Sequence, residues 1–479
     1  MTFDETVDFC KNNPEAVATI LMKIKQLEKD LIKANAEIKR LKDIIDKDSS
    51  NSSKPPSTDN KLSKKQKSKK SGLQKKRGGQ QGHRGHTLKM VETPDKVVVL
   101  EVATCSCGHS LDNIHPSKVI KRQSFDLPEI KMVVTQFEQH TKVCPCCNSV
   151  NTKEFPNHVN ATTQYGNNLK SFMAYCNTYQ MIPYDRISEM IEDLTSHKLS
   201  NGTIYNTLHS YHEKLESYEE TIKGLALKEK VIHCDETGVN VTGDLHWMHT
   251  VSSDIFTYYM LHTKRGTVAM DAMEVLPNYE GIAVHDHWSP YNKYHCKHSF
   301  CNAHHLRELN FISQSEKVLW SDNMHTLLST MNKEVHKAKN KNKTCFPKYK
   351  VSQFTKYYDN ICKSAMVYYP PPDPTIKKAK GRTAQAKGKN LLDRFIKHRE
   401  EVLRFSTDFT VPFTNNLAER DLRMIKVKEK ISGTFASFKG GEIFARIRGY
   451  ISTVKKNNKS VLEELNNALQ GKPYIPVGC

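Results

Sequence analysis

The chain has 479 residues, enough for roughly two to four domains, and its 72 Lys and Arg against 52 Asp and Glu give a net charge of +20. Such an excess favours a polyanionic partner. No apolar run approaches the ~18 residues of a membrane-spanning helix, and the start MTFDETVDFC carries acid where a secretory signal carries base. We therefore expect a cytoplasmic protein with no membrane partner. An odd number of cysteines, 13, argues against a disulfide framework.

Residues 1–48 are predicted to form a leucine-zipper-like coiled-coil helix. Apolar residues alternate at spacings of three and four, at Val17, Ile20, Ile24, Leu27, Leu31, Ala34, Ile38, Leu41 and Ile45. This spacing is typical of helices that wind around each other, so it predicts a homo-oligomer. The alternative is an amphipathic helix that packs on its own domain.

Residues 49–92 form a basic linker rich in Ser, Lys, Gly and Gln, which cannot bury a core and should be disordered alone. Its charge density favours contact with phosphates over the alternative of a solvated spacer. The DNA-binding residues predicted here are Lys64, Lys65, Lys75, Lys76, Arg77 and Arg84.

Residues 93–155 contain two clusters of cysteines and short alternating runs, VVVLEV and KMVVTQFEQ. Four thiolates give tetrahedral coordination, for which Zn²⁺ is the usual ion, and four protein ligands make the site structural. The predicted zinc ligands are Cys105, Cys107, Cys144 and Cys147, with Cys146 spare and His109 as a substitute ligand. The first pair, C-x-C, is tighter than the usual C-x₂-C. The alternative is a set of free buried thiols.

Residues 156–225 are predicted to form a helical domain. Ile187, Met190, Ile191 and Leu194 repeat at helical spacing, and SNGT at 200–203 supplies a turn and an N-cap before the next helix. Two helices around a short turn suit a helix-turn-helix DNA reader, and a plain helical bundle explains the pattern equally well.

From residue 226 the pattern changes to strands. KVIHCD and GIAVHD are short apolar strands, and LHWMHTVSS with IFTYYMLHT indicates a hairpin. Helices follow from about residue 303, and two final helical stretches are predicted at about 415–430 and 442–469. The predicted units are a first part of an α/β core at 226–345, a helical, Pro-rich basic insertion at 346–400, and a helix with a C-terminal element at 401–479. Strands followed by helices predict a mixed sheet.

Three acids stand in settings that suit catalysis. Asp235 and Asp286 each end an apolar strand, and Glu419 lies on a predicted helix. Carboxylates from separate segments can hold two Mg²⁺ (or Mn²⁺) ions for in-line displacement at phosphorus. The structural alternatives are a turn cap for Asp286 and, for Glu419, a capping box with Asn416 or an ion pair with Arg423.

Basic and metal-binding side chains accompany these acids. Arg420, Arg423 and Lys426 share the helix of Glu419, and CNAHHLREL places Arg307 after the second acidic strand. We expect these four residues to contact DNA. In the same block, Cys301 and His304 either join Cys296 and His298 around another metal or line the core and position DNA.

The chain resembles the transposases of the insertion-sequence-66 family over nearly its whole length. The resemblance is carried by the zipper-like helix, the cysteine knuckle and a series of motifs, NSSKPPSTD, KKRGGQQGHRGH, YGNNLKSF, PYDR, LSNGTI, CNAHHLRE, NNLAERDLRMIK and RIRGYISTVKKNNKSVLEELNNAL. It implies a DDE active site on a ribonuclease H-like fold, with Asp235, Asp286 and Glu419 as the catalytic triad. It also implies terminal-repeat DNA as the substrate and a dimeric or larger complex.

The expected protein is therefore a multidomain α/β enzyme. A ribonuclease H-like mixed sheet flanked by helices would accompany the coiled-coil helix, a zinc-ribbon-like module and a helix-turn-helix-like domain. It would cut insertion-sequence ends and join them to target DNA, using Mg²⁺ or Mn²⁺ and no nucleotide, because no P-loop motif is present. Nucleoid association and accessory proteins of the same element are expected. The alternatives are a metal-dependent nuclease that does not join DNA and a non-catalytic, zinc-stabilised DNA-binding regulator.

Overall fold

The structure is a computed structural model that describes residues 2–45, 47, 87–370 and 385–477. Two helices and a small hairpin begin it, α1 (Phe3–Asn12), α2 (Pro14–Ile45), β1 (Thr141–Val143) and β2 (Val150–Thr152). Four helices follow, α3 (Asn167–Ala174), α4 (Tyr184–Thr195), α5 (Asn201–Lys214) and α6 (Glu216–Lys228). The main sheet and one short helix come next, β3 (Val231–Val241), β4 (Asp244–Ser252), β5 (Thr257–His262), α7 (Thr267–Ala272), β6 (Ile282–His285) and β7 (Lys297–Phe300).

Eight helices complete the described chain after the sheet. They are α8 (Asn302–Glu316), α9 (Leu319–Lys339), α10 (Lys348–Ala365), α11 (Lys387–Lys397), α12 (Arg399–Thr407), α13 (Asn416–Ser432), α14 (Phe438–Lys456) and α15 (Val461–Leu469). Residues 371–384, in the middle of the predicted Pro-rich basic insertion at 346–400, lie outside the described residues, as do the predicted DNA-binding residues of the basic linker.

The periodic stretch of the predicted N-terminal helix lies in α2, which runs for 32 residues, and the shorter helix α1 precedes it. Its apolar stripe is solvent-exposed, with Leu27 and Leu31 exposed by 63% and 62%. A stripe of this kind gains stability only when it is covered. The alternating runs at residues 93–155 are not packed into a hydrophobic core. They do not form strands, and Leu100 and Val134 are about nine-tenths exposed.

The helices α4 and α5 surround the predicted turn. Ser200 caps α5, since its side-chain oxygen accepts a hydrogen bond from the Thr203 backbone N–H at 3.1 Å. Ile187 and Ile204 from this pair belong to the large core that also covers one face of the main sheet. The helical interpretation of this region is confirmed, and the two helices are built into the body of the molecule.

The main sheet has the spatial order β5-β4-β3-β6-β7. The predicted hairpin is confirmed as β4 and β5, which pair antiparallel, and β4 also pairs antiparallel with β3. The strands β3, β6 and β7 run parallel. The chain is thus a mixed α/β protein, as predicted. The sheet separates two layers, because alternate residues of β3 contribute to different cores, Ile232 and Cys234 to one and Val239 and Val241 to the other.

The helices α8 to α12 enclose a core of their own. Trp320, Tyr358 and Phe395 are fully buried in it, and Phe300 at the end of β7 joins it to the sheet. These helices are inserted in the chain between β7 and α13. The C-terminal helices α13 to α15 therefore follow all five strands of the main sheet in the sequence.

The predicted C-terminal stretch at 442–469 is two helices rather than one. The α14 helix ends where Asn458 takes a left-handed conformation (φ 54°) and the Lys459 N–H donates to the Val454 carbonyl oxygen at 3.1 Å. This closes the helix C-terminus before Ser460 caps α15. A single periodic pattern concealed the break, because both helices bury apolar residues in the same core.

Candidate active site

Asp235 is the fifth residue of β3, so the prediction that it ends a strand was wrong. The strand continues because its second half forms the long hairpin with β4, in which Asp235 faces Thr250. Pairing with β6, however, stops at His233. Asp235 therefore lies just beyond the parallel part of the sheet, which is where functional side chains emerge in α/β proteins.

Asp286 follows β6 directly, as predicted. The register of β3 and β6 pairs His233 with Val284, and continuing it by two residues brings Asp286 level with Asp235 on the same face. The Trp288 backbone N–H donates to Asp286 Oδ1 at 2.9 Å, so the proposed turn cap does form. That bond uses one oxygen and fixes the orientation of the carboxylate.

Glu419 lies in the first turn of α13, but the predicted capping box with Asn416 does not form. The N-cap is Asn415, whose side-chain amide donates to the Cys234 carbonyl oxygen at 2.8 Å. Its side-chain oxygen lies 2.8 Å from His233 Nδ1. Asn415 cannot cap its own helix because both ends of its amide are bound to β3. These bonds fasten the start of α13 to the strand that carries Asp235.

The three acids interact electrostatically. Burial is the main reason why the pKa of Asp235 lies well above its ordinary value, and the negative charges of Glu236, Asp286 and Glu419 raise it further. Asp235 is odd-numbered on β3 like His233, which reaches α13, so its side chain also faces the helix of Glu419. A cation would relieve this repulsion.

Cys301 and His304 stand beside Glu419 rather than with Cys296 and His298. The Cys301 thiol donates to Glu419 Oε1 at 3.7 Å, and His304 Nδ1 lies 3.9 Å from the same oxygen. Cys296 is buried in the large core, and His298 Nδ1 lies 2.9 Å from His285 Nε2. The four-residue metal site considered from the sequence is therefore not assembled, and Glu419 takes the place of two of its members.

A buried acid next to Asp235 was missed from the sequence. Glu236 points to the opposite face of β3 and is 2% exposed. Its Oε1 accepts hydrogen bonds from Arg265 Nε (3.0 Å) and Nη2 (2.8 Å), and its Oε2 accepts one from the Tyr291 hydroxyl (2.6 Å). The alternation of strand side chains after Asp235 was the one signal that could have separated the roles of the two acids.

Arg265 forms a second feature that the sequence concealed. Its guanidinium carbon lies 4.0 Å from the centre of the Trp288 ring and 4.9 Å from the Trp247 ring. The side chain is 40% exposed, and none of the bonds to Glu236 uses Nη1. Arg265 thus presents an oriented cation beside the turn that holds Asp286. We name Arg265 with Glu236, Trp247 and Trp288 the arginine clamp.

The basic residues predicted around the site have different settings. Arg420 and Arg423 are exposed on α13, and Arg307 is half-buried on α8. Lys426 donates to the Gly238 carbonyl oxygen and pairs with Glu429 at 2.9 Å. No ion pair joins Glu419 to Arg423, two residues that the structure describes, so the structural alternative for Glu419 is not realised.

The predicted zinc ligands lie in two tight turns. The Cys105 N–H donates to the His109 carbonyl oxygen and the Cys144 N–H to that of Ser149, each at 2.9 Å. Hydrogen bonds with Cys107 lower the pKa of Cys105. Across the described residues, the four sulfurs are not gathered as a group whose ligand atoms all lie within 4.8 Å of one another.

No described helix combines the length and apolar character that crossing a membrane requires.

Comparison with known families assigns the chain to a class of DNA-processing proteins. A family model described as Transposase IS66 family matches residues 162–443, which contain all three acids. The chain belongs to this transposase family. It is therefore a DNA-binding enzyme of transposition, and its family implies a divalent metal ion. Residues 11–89 match a family of unknown function, DUF6444.

None of the curated proteins matches the chain. A solved structure described as a cryo-EM structure of the simian T-cell lymphotropic virus intasome in complex with PP2A regulatory subunit B56 gamma is similar to 45% of this chain and 80% of the matched chain, at 12% identity and a TM-score of 0.14.

Proposed function

We propose that the protein is a DDE transposase that cuts the ends of its insertion sequence and joins them to target DNA. The observation that carries this proposal is the convergence of Asp235, Asp286 and Glu419 on one face of the sheet. In support, the negative charges of Asp286 and Glu419 contribute to the raised pKa of Asp235. A mixed five-stranded sheet in which β4 runs antiparallel to the other four strands supports a ribonuclease H-like core.

The residues present fit divalent metal ions. Carboxylates are the ligands that Mg²⁺ and Mn²⁺ prefer, and repulsion between Asp235 and the neighbouring acids makes a cation favourable there. Asp235, Asp286 and Glu419 would hold the metal. When bound, such ions lower the pKa of an attacking water or hydroxyl and neutralise the leaving oxygen. The same acids would serve both chemical steps, because cutting and joining differ only in the nucleophile.

The surrounding residues orient these acids. The Trp288 N–H holds one oxygen of Asp286, and Asn415 ties the helix of Glu419 to β3. The buried carboxylate of Glu236 fixes the partly exposed guanidinium of Arg265, which can bind a DNA phosphate with its remaining N–H groups. Preorganised groups of this kind reduce the reorganisation needed during the reaction.

The arginine clamp yields a testable expectation. Arg265→Gln should slow DNA cleavage about 10- to 100-fold and lower the salt dependence of DNA binding by about one phosphate contact. Arg399→Gln is the matched control, because Arg399 is also paired with an acid and is 45% exposed. Cleavage rates and binding across a salt series measure both effects, and equal behaviour of the two variants would remove Arg265 from the site.

The exposed stripe of α2 would be covered by a second copy of the chain. Leu31→Asp in the middle of the stripe should convert the oligomer to a species near the monomer mass of 54.8 kDa, because a buried charge disrupts a coiled-coil seam. Ile32→Asp is the control, since Ile32 is 70% exposed and lies outside the stripe. Light scattering after size exclusion gives the masses. A wild-type monomer would reject the proposal.

The turns at Cys105 and Cys144 would be joined by structural Zn²⁺. A metal bound to both turns would supply the folding energy that this segment lacks, given its exposed apolar residues. Cys144→Ser should lose about one equivalent of zinc per chain and become protease-sensitive within residues 93–155. Cys10→Ser, a change at an exposed cysteine of α1, should do neither. Elemental analysis and limited proteolysis test this, and purified protein with almost no zinc would contradict it.

The basic linker would hold phosphates of the element ends, through Lys64, Lys65, Lys75, Lys76, Arg77 and Arg84. Arg307, Arg420, Arg423 and Lys426 would contact DNA nearer the acids. Nucleoid association and accessory proteins of the element belong to the same proposal.

Incubation with labelled element ends, a target plasmid and Mg²⁺ separates the proposed function from its rivals. Joined products are expected for a transposase. Cut products without joining would indicate a nuclease, and a band shift without cutting would indicate a non-catalytic regulator.

A further inference from the structure

A thiol, an imidazole and a carboxylate meet where α8 and α13 begin. Cys301 precedes α8, His304 lies in its first turn, and Glu419 lies in the first turn of α13. Among the described residues, they are the one group of three such side chains whose ligand atoms all lie within 4.8 Å of one another. The proposed reaction uses Glu419 but has no need of the other two.

The spacing of the three atoms suits a tetrahedral metal ion. Bond lengths of 2.0–2.3 Å place neighbouring ligand atoms about 3.3–3.6 Å apart around Zn²⁺. The Cys301 Sγ and His304 Nδ1 atoms lie 3.7 and 3.9 Å from Glu419 Oε1. Small side-chain rotations would bring all three to bonding distance.

The two added ligands also lack a complete structural role. His304 Nδ1 is buried and makes no hydrogen bond within the described part of the chain. A buried nitrogen without a partner is costly, and a metal ion would satisfy it. Cys301 is 1% exposed, and its sulfur accepts a hydrogen bond from the Asn415 N–H at 3.1 Å. A donor of this kind supports a metal-bound thiolate.

We propose that Cys301, His304 and Glu419 form a three-ligand site for a thiophilic divalent metal ion of the Zn²⁺ class. Sulfur and imidazole select such metals, whereas Mg²⁺ takes oxygen ligands. Three protein ligands leave a fourth position for water or a DNA oxygen, the arrangement of catalytic rather than structural zinc sites. The inference deepens the proposed function and rests on it through Glu419. The contacts with Cys301 and His304 involve only Oε1 of Glu419, so its second oxygen remains for the metal ion held with Asp235 and Asp286.

Metal titration of the full-length protein without DNA tests this site. Cys301→Ser keeps a hydroxyl that can donate to Glu419 but removes the thiolate. It should lose one equivalent of bound Zn²⁺ and part of the ultraviolet charge-transfer band that Cd²⁺ forms with thiolates. Cys296→Ser is the matched control, because Cys296 is also buried and lies outside the group. Any zinc on the cysteine turns contributes equally to both variants.

His304→Gln provides a second variant, and circular dichroism checks that each variant is folded. The His304→Gln substitution should lower the affinity of this site for Zn²⁺ by more than about 100-fold. A group that only supports a ligand typically changes metal affinity by about 10- to 100-fold. Unchanged zinc stoichiometry and affinity in both variants would overturn the site and leave Cys301 and His304 as residues that merely orient Glu419. Because no DNA is present, that failure is distinct from a loss of joining by the wild-type protein.

Discussion

Asp235→Asn should abolish both cutting and joining of DNA while leaving the affinity for element ends unchanged. The amide keeps the size and one oxygen of the side chain but removes the charge that binds metal. We expect the rate to fall by at least about 10³-fold, which corresponds to about 4 kcal/mol of activation free energy. Cleavage and joining assays, with a band shift for binding, measure the two properties separately.

Unfolding will not explain this loss. The negative charges of Glu236, Asp286 and Glu419 oppose ionisation of Asp235, so an uncharged side chain removes repulsion from the folded state. Asp244→Asn is the matched control, because Asp244 is exposed at the start of β4 and should retain full activity. An Asp235→Asn protein that still cuts would show that the acids have been assigned wrongly.

Asp421→Ala should lower the free energy of unfolding by about 3–5 kcal/mol, the cost of breaking a buried ion pair. One oxygen of Asp421 accepts hydrogen bonds from the hydroxyls of Ser252 (2.7 Å) and Thr257 (2.9 Å) and from Lys456 Nζ (2.8 Å). Both charged side chains are about 15% exposed. Removing the carboxylate leaves a buried ammonium and two hydroxyls without their acceptor, as chemical denaturation would reveal.

Glu419→Gln provides the comparison for that experiment, because Glu419 lies two residues earlier on the same helix. It should lose activity and keep its stability, since its partners are a weak thiol contact and a distant imidazole. Asp193→Ala, at an exposed position of α4, should change neither. Equal stability of the Asp421→Ala and Asp193→Ala proteins would contradict the structural role of Asp421.

The hydrophobic patterns predicted those parts of the fold that are governed by local periodicity. The long helix α2, the cap at Ser200 and the hairpin of β4 and β5 all follow from residue spacing and turn chemistry. The break between α14 and α15 was missed because it depends on the left-handed backbone of Asn458, which periodicity does not report.

The acids of the site were found because they occupy recognisable motifs, but their surroundings depend on contacts between distant segments. Asn416 matched the sequence rule for a cap, yet Asn415 takes that position since its amide bridges to β3 across about 180 residues. Arg265 has no motif at all. Its role arises only when the sheet brings it to Glu236 and the two tryptophans.

The central claim is that Asp235, Asp286 and Glu419 jointly bind divalent metal at the point of DNA cleavage. A crystal structure of the protein with an element-end duplex and Mn²⁺, phased near the manganese absorption edge, tests it most directly. We predict an anomalous peak coordinated by Asp235, Asp286 and Glu419, with the DNA phosphate at the same ion and Arg265 close by. Manganese bound elsewhere, with the DNA distant from these carboxylates, would contradict it.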